Sequence, residues 1–194
     1  MSGPVSSTPA MRVFGLAGWS GSGKTTLIRR LLPAFLGHGI TVSTVKHAHH
    51  KFDLATPKEG DRQLRAAGID ELMLAAPARW ALLHEAQGEP EPRFEDVIAR
   101  LTPVDLVLIE GFKSHPHPKL EVHRPITGKP ILANRDPNIV GLAVEGGRLD
   151  PGALEHAVPL FDLDDIDALA GLILAHCDLN TLPAPGRQAE RGPA

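Results

Sequence analysis

Short apolar runs and stretches of helical spacing take turns along the first part of the chain. Residues 12–17 (RVFGLA) form one such run. After a glycine- and serine-rich stretch, the apolar positions between residues 24 and 36 fall at Leu27, Ile28, Leu31, Leu32 and Phe35, the three-and-four spacing of a helix with one buried face. Pro33 lies inside that stretch, so a bend or an early end is expected there, and Gly37 and Gly39 predict a C-terminal cap. Residues 40–46 (ITVSTVK) are rich in β-branched side chains and read as a second strand. A strand, a helix and a strand in such close succession imply a right-handed crossover onto a parallel sheet.

Residues 47–58 then read as a polar loop and 59–67 as a short amphipathic helix closed by Gly68. Two apolar runs, 72–76 and 80–84, flank Pro77-Ala78-Arg79 in the pattern of a β-hairpin. A Gly/Glu/Pro linker at 88–92 leads to helical spacing at 94–101 and to the run 104–109 (VDLVLI), suited to a buried strand. A His/Pro-rich loop at 111–118 precedes expected strands at 120–123, 130–133 and 139–144, and residues 162–165 can cap a final helix that runs to 175. The Ser/Pro-rich residues 1–10 have neither the basic start nor the apolar core of a secretory signal and read as a disordered leader, with Met11 the expected natural start. Residues 179–194 read as a disordered tail of Pro, Gly and Arg.

Composition narrows this picture. At 194 residues and 42% hydrophobic the chain is long enough for one well-buried domain, expected over residues 11–178. A formal net charge of -3 provides no broad basic field for nucleic acid or an anionic membrane, so any polyanion must be met by a local site. Cys177 is the one cysteine, which excludes an internal disulfide and fits a reducing cytoplasm. No apolar stretch approaches the roughly 18 residues of a membrane-spanning helix.

The glycine-rich stretch carries the first chemistry. Gly18-Trp19-Ser20-Gly21-Ser22-Gly23-Lys24-Thr25 fills every fixed position of G-x-x-x-x-G-K-[ST], after a strand and at the start of a helix. A concave nest of backbone N–H groups needs glycines there, because side chains would block a phosphate and some positions need positive φ. The helix adds about half a positive charge at its N-terminus. Lys24 is expected on the β- and γ-phosphates, and the Thr25 hydroxyl on a magnesium ion bridging them. Gly21, Ser22, Gly23 and Thr26 complete the nucleotide-binding set. The expected fold is therefore α/β and P-loop NTPase-like: a mostly parallel sheet flanked by helices, with a β-hairpin embellishment. Trp19 stands where partition ATPases carry a lysine, which argues against that group.

A magnesium–nucleotide site also needs a carboxylate at the carboxyl end of a neighbouring strand. Glu110 follows Val107-Leu108-Ile109 and is that candidate, whereas Asp105 lies at the other end of the same strand. Two histidine-rich segments remain: Lys46-His47-Ala48-His49-His50, and the loop with His115 and His117 that leads to His123. Both are expected on the rim of the phosphate loop. They read either as a transition-metal site, as solvated loop residues, or with Lys46 and His47 as phosphate or substrate contacts and Asp53 and Asp61 in a switch loop.

Together GWSGSGKTTLIRRLL, STVKHAHHKFDLATPKEGDRQLRAAG, DLVLIEGFK, ILANRDP and PLFDLDDIDALAGLI resemble the molybdopterin-guanine dinucleotide biosynthesis protein B family over residues 12–175. Lys46-His47-x-His49-His50 with Phe52-Asp53, and Glu110-Gly111-Phe112-Lys113, are the most specific parts. The resemblance implies a dimeric GTP-binding accessory protein with at most slow magnesium-dependent GTPase activity. It would help the molybdenum cofactor guanylyltransferase attach GMP to molybdopterin cofactor. It also implies Gly21 to Thr26 as the nucleotide loop, Thr25 and Glu110 as magnesium-side groups, and Lys46, His47, Asp53 and Lys113 as rim residues; Glu110 and Lys24 are the expected catalytic residues. The family's Asp-Ser after the switch loop is replaced by Gly60-Asp61-Arg62. The guanine-reading Asn-Lys-x-Asp of regulatory GTPases is absent, because Asn134-Arg135-Asp136-Pro137 puts Asp one position early; Asp136 can still accept two hydrogen bonds side by side from guanine. Two other classes stay open: a P-loop small-molecule kinase, and a nickel- or zinc-handling GTPase that uses the histidines.

Overall fold

The computed structural model describes residues 11–47, 71–76, 79–84, 90, 92–112 and 115–180. In chain order the elements are β1 (Arg12–Ala17), α1 (Lys24–Gly37), β2 (Val42–Lys46), β3 (Glu71–Ala76), β4 (Arg79–His84), α2 (Phe94–Ala99), β5 (Leu106–Glu110), β6 (Lys119–His123), β7 (Ile139–Val144), β8 (Leu160–Asp162) and α3 (Ile166–His176). The chain divides into two compact units, Met1–His47 with Leu101–Ala194, and Ala48–Arg100.

The first unit is built on a six-stranded sheet in the order β2-β5-β1-β6-β7-β8, with every pairing parallel. Thus β5 lies between the two strands of the first crossover, and β1 is central. Residues alternate sides along each strand, so the sheet has two apolar faces. On one, Phe14 and Leu16 of β1, Leu108 of β5 and Leu120 and Val122 of β6 share a core with Leu27, Leu31 and Phe35 of α1 and Leu169 and Ile173 of α3. On the other, Ala17, Leu142 and Val144 pack with Ile131 and Ala133 from the β6–β7 connection. Covered on both sides, Leu106, Val107, Leu108 and Ile109 are fully buried, which is why β5 is apolar without alternation.

Helix α1 does not end early at Pro33 but continues to Gly37. The Arg29 carbonyl that loses its donor lies on the exposed side, where water can replace it. The helix closes with Gly39 at φ 74, its N–H on Leu36 and the Ile40 N–H on Phe35, and the buried Ile40 and Phe35 share the core. Asp165 caps α3 by accepting from the Ala168 N–H at 3.1 Å.

One expected strand is absent. Residues 130–133 are irregular and lead into a turn at 133–135, because the N–H groups of Leu132 and Ala133 donate to the buried Glu121 carboxylate at 2.9 and 2.8 Å instead of to a ladder. The three-residue edge strand β8 was not expected. Among the described residues no helix is long and apolar enough to cross a membrane.

In the second unit β3 and β4 form the expected antiparallel hairpin, registered from Glu71 opposite His84 to Ala76 opposite Arg79. Arg79, expected in the turn, is therefore part of the ladder. α2 stops at Ala99, and Arg93 before it grips Asp96 through two hydrogen bonds of 3.0 and 3.1 Å. The expected helix at 59–67, most of the loop at 47–58, most of the linker at 88–92, the leader at 1–10 and residues 181–194 lie outside the described residues, whereas Leu179, expected in the tail, is buried in the core of the first unit and its N–H donates to the Leu174 carbonyl at 2.9 Å.

Candidate nucleotide site

The turn between β1 and α1 depends on its glycines. Gly18, Gly21 and Gly23 have φ of 140, 79 and 103, a region L side chains rarely adopt. Space matters too: a Cβ on Gly18 would lie 2.6 Å from the Val122 carbonyl oxygen. At Gly21 nothing lies within 4 Å of an added Cβ, so the loop is open on that side. Lys24 Nζ donates to the carbonyls of Gly18 and Trp19, both at 2.9 Å, and so spans the loop from within. Trp19 Nε1 donates to the Pro130 carbonyl at 2.8 Å, and Lys129 Nζ sits 5.7 Å from the centre of its ring.

Strand order brings the acidic group to this loop. Glu110 ends β5 opposite Leu16 of β1 and Lys46 of β2. Thr25 Oγ1 donates to Glu110 Oε2 at 2.6 Å, and Lys46 Nζ lies 3.4 Å from Thr25 Oγ1 and 3.6 Å from Glu110 Oε1. A hydroxyl and a carboxylate side by side are the hard oxygen donors that magnesium selects. Asp105, at the far end of β5, instead accepts from the N–H and hydroxyl of Thr41 at 2.8 and 2.6 Å.

A cation that sequence reading missed completes the rim. Arg124, the first residue after β6, donates from Nε to the Ser22 carbonyl at 3.1 Å and pairs with Glu145. Its guanidinium is 3.6 Å from where a Cβ on Gly23 would be. No motif spacing marks it; the signal available was its place directly after a strand next to β1.

The remaining candidates separate. Thr26 is exposed in the first turn of α1. The His47 N–H donates to the Glu110 carbonyl at 2.8 Å, and its ring stacks on Phe112 at 4.4 Å and 25°. Gly111, at φ 113, allows that approach, since its Cβ would be 2.6 Å from His47 Cβ. Asp53 and Lys113, with His49, His50 and Asp61, lie outside the described residues.

Asp136 is not on this rim. It sits before β7, where Lys119 N–H bonds Asn138 across the start of β6, so it belongs to the amino ends of these strands. There its carboxylate accepts from Lys119 Nζ at 3.1 Å and from the backbone and side-chain N–H of Asn138 at 2.9 and 2.8 Å. Burial alone would push its carboxyl up, but these donors outweigh it and hold the group below its ordinary range. Its donor-satisfied oxygens are committed to the fold, which removes the guanine-reading role.

The histidines likewise do not share one rim. His115 and His117 touch each other at 3.1 Å near Lys119, whereas His123 ends β6. Burial, then the neighbouring Lys119 and His115, lowers the His117 pKa to about 4. Among the described residues no group of three or more His, Cys, Asp or Glu can hold a metal ion.

Comparisons with known proteins agree with this arrangement. Residues 13–145 match the family described as Molybdopterin guanine dinucleotide synthesis protein B, MobB. The chain is 32% identical over 165 residues to the molybdopterin-guanine dinucleotide biosynthesis adapter protein of Escherichia coli (strain K12), covering 84% of this chain and 91% of that protein. It is 38% identical over 122 residues to the protein of the same name from Haemophilus influenzae, covering 61% and 67%. The crystal structure of a MobB protein homologue from Bacillus stearothermophilus is similar with a TM-score of 0.63 at 26% identity, over 87% of this chain and 99% of that one.

Proposed function

Because the chain belongs to the molybdopterin guanine dinucleotide synthesis protein B family, we propose that it is the GTP-binding adapter that assists a guanylyltransferase in attaching GMP to molybdopterin. The observation that carries this reading is the 2.6 Å contact of Thr25 with Glu110 beside a glycine loop open at Gly21. The donor set fits a magnesium triphosphate. Backbone N–H groups of residues 21–26 and the ammonium of Lys24 would hold the phosphates, Lys24 exchanging its loop carbonyls for phosphate oxygens. Thr25 and Glu110 would hold magnesium, which supplies charge neutralisation between the phosphates. Lys46, 3.6 Å from Glu110, would stand beside the phosphates as a second ammonium, and His47, Asp53 and Lys113 would extend the same rim.

At most slow GTP hydrolysis is expected. Rapid hydrolysis needs a positioned water and a cation free to meet developing charge, an arginine contributing about 10³ to 10⁵ in rate. Arg124 is already engaged by Ser22 and Glu145. We place the protein in the cytoplasm and expect a homodimer.

Calorimetry with magnesium, comparing GTP and ATP, tests the nucleotide. GTP is expected to bind more tightly, and a clear ATP preference would favour a kinase instead. Lys24→Ala is expected to lower GTP affinity at least about a hundredfold with an unchanged circular dichroism spectrum, since charge-assisted hydrogen bonds contribute about 1.5–3 kcal/mol each. Pull-down with the guanylyltransferase tests the adapter role; reproducible failure with both proteins folded sinks it.

A further inference from the structure

A second concavity lies beside the phosphate loop, on the sheet face opposite α1. It has a volume of about 720 Å³ and runs between the β6–β7 and β7–β8 connections, within the range of small-ligand sites. Ile131, which belongs to the core of that face, and Leu149, packed against it, give the cleft an apolar floor beside His123. Burial lowers the His123 pKa, so the imidazole is neutral at physiological pH. Three cations, Lys129, Arg135 and Arg148, stand around this floor. The carboxylates of Asp150 and Glu155 share the rim and leave one positive charge in excess.

The walls are built rather than incidental. The fully buried Glu121 carboxylate takes the N–H groups of Leu132 and Ala133 and fixes one wall. Asn134 ties that wall to the other, donating to the Ala153 carbonyl at 2.9 Å and accepting from the Glu155 N–H at 3.0 Å. Trp19 joins the cleft to the phosphate loop through its bond to Pro130, itself a lining residue.

Apolar floor, arginines and carboxylates select different parts of one molecule. A flat ring suits the floor, an anionic substituent suits two guanidinium forks, and a carboxylate accepts side by side from a ring edge with adjacent N–H and amino donors. A fused 2-amino-4-oxopyrimidine has such an edge. We propose that this cleft is a second ligand site that takes an anionic 2-amino-4-oxopyrimidine-fused ring, the chemistry shared by a pterin phosphate and guanosine monophosphate. The choice of these rings rests on the function proposed above, since both are joined in that pathway; the cleft itself does not.

The test fills the phosphate loop first. With magnesium and a non-hydrolysable GTP analogue at saturation, pterin-6-carboxylate is titrated by fluorescence anisotropy and GMP by calorimetry. Saturable binding of either is expected, and which one binds assigns the source. Arg135→Ala and Arg148→Ala, both at exposed positions, are expected to weaken it about tenfold or more, the loss of one charge-assisted contact. Arg29→Ala, an exposed cation on α1, is expected to leave it unchanged. No saturation with either probe overturns the proposal, and so does equal loss in Arg29→Ala, or full retention in both Arg135→Ala and Arg148→Ala. Probe binding that survives while GTP binding fails would remove the nucleotide reading and leave this site standing.

Discussion

Glu110 holds the Thr25 hydroxyl at 2.6 Å and, in the function proposed, would also offer an oxygen to a magnesium ion. Glu110→Gln keeps the shape and a hydrogen-bond acceptor but removes the charge. GTP affinity measured by calorimetry is expected to fall about tenfold with magnesium present and to change little in its absence, one charge-assisted contact being about 1.5–3 kcal/mol. Equal loss under both conditions would show that Glu110 shapes the loop rather than serves the metal. Arg124 poses the complementary case, because it reaches the Ser22 carbonyl and Glu145 together. Lysine gathers its three donors on one nitrogen and lacks the planar fork whose separate nitrogens, Nε and Nη1, reach these two partners. Arg124→Lys should therefore recover only part of the GTP affinity lost in Arg124→Ala. That Lys24, Thr25 and Glu110 lie at one loop was legible because the G-x-x-x-x-G-K-[ST] pattern and the end of a neighbouring parallel strand occupy fixed places relative to each other. Arg124 was not, since its contact depends on β6 lying beside β1, which no local spacing encodes.

Strand β6 shows what an element reveals and conceals. Its Lys-Leu-Glu-Val-His alternation suggests one buried face and one wet one, yet all five residues are buried. Leu120 and Val122 meet the helices, while the other face is closed over by connections: Lys119 pairs with Asp136, and Glu121 takes two backbone N–H groups. The same long-range closure explains why the apolar stretch at 130–133 looked like a strand, for its N–H groups are spent on Glu121. By contrast β1, β5 and β7 were legible from solid apolar runs, and α1 from its spacing, because burial on a sheet or along one helix face writes a local period. Close approach at β1 supplies a test. A Cβ on Gly15 would lie 2.3 Å from His117 Nε2 and 2.8 Å from its Cδ2, atoms of a buried ring. Gly15→Ala is expected to destabilise the protein by about 1–3 kcal/mol, the usual effect of overfilling a packed interior, read as a lower denaturant midpoint. An unchanged midpoint would mean that the His117 connection yields freely.

His117 links the molecule's stability to pH. Burial first, then Lys119 and His115, lowers its pKa from 6.5 to about 4, against the opposing pull of Asp136. The unfolded chain therefore binds this proton more readily than the folded one between those values. Its contribution is complete above about 6.5, is lost as pH falls toward 4, and does not change further below that. A shift of this size corresponds to at most about 3 kcal/mol. His123, also lowered by burial, acts in the same sense, whereas Glu121, raised by burial, favours the folded state as pH falls. Comparison with His117→Gln separates these effects, since the other groups are common to both proteins. Denaturant unfolding from pH 4 to 7 should show wild-type stability rising more steeply than that of the variant between 4 and 6.5, with parallel curves above. Parallel curves across the whole range would mean that His117 is protonated as easily in the fold as in water. The connection from Glu110 to β6 would then open to solvent, and the sheet face beneath it would not be sealed as the buried β6 requires.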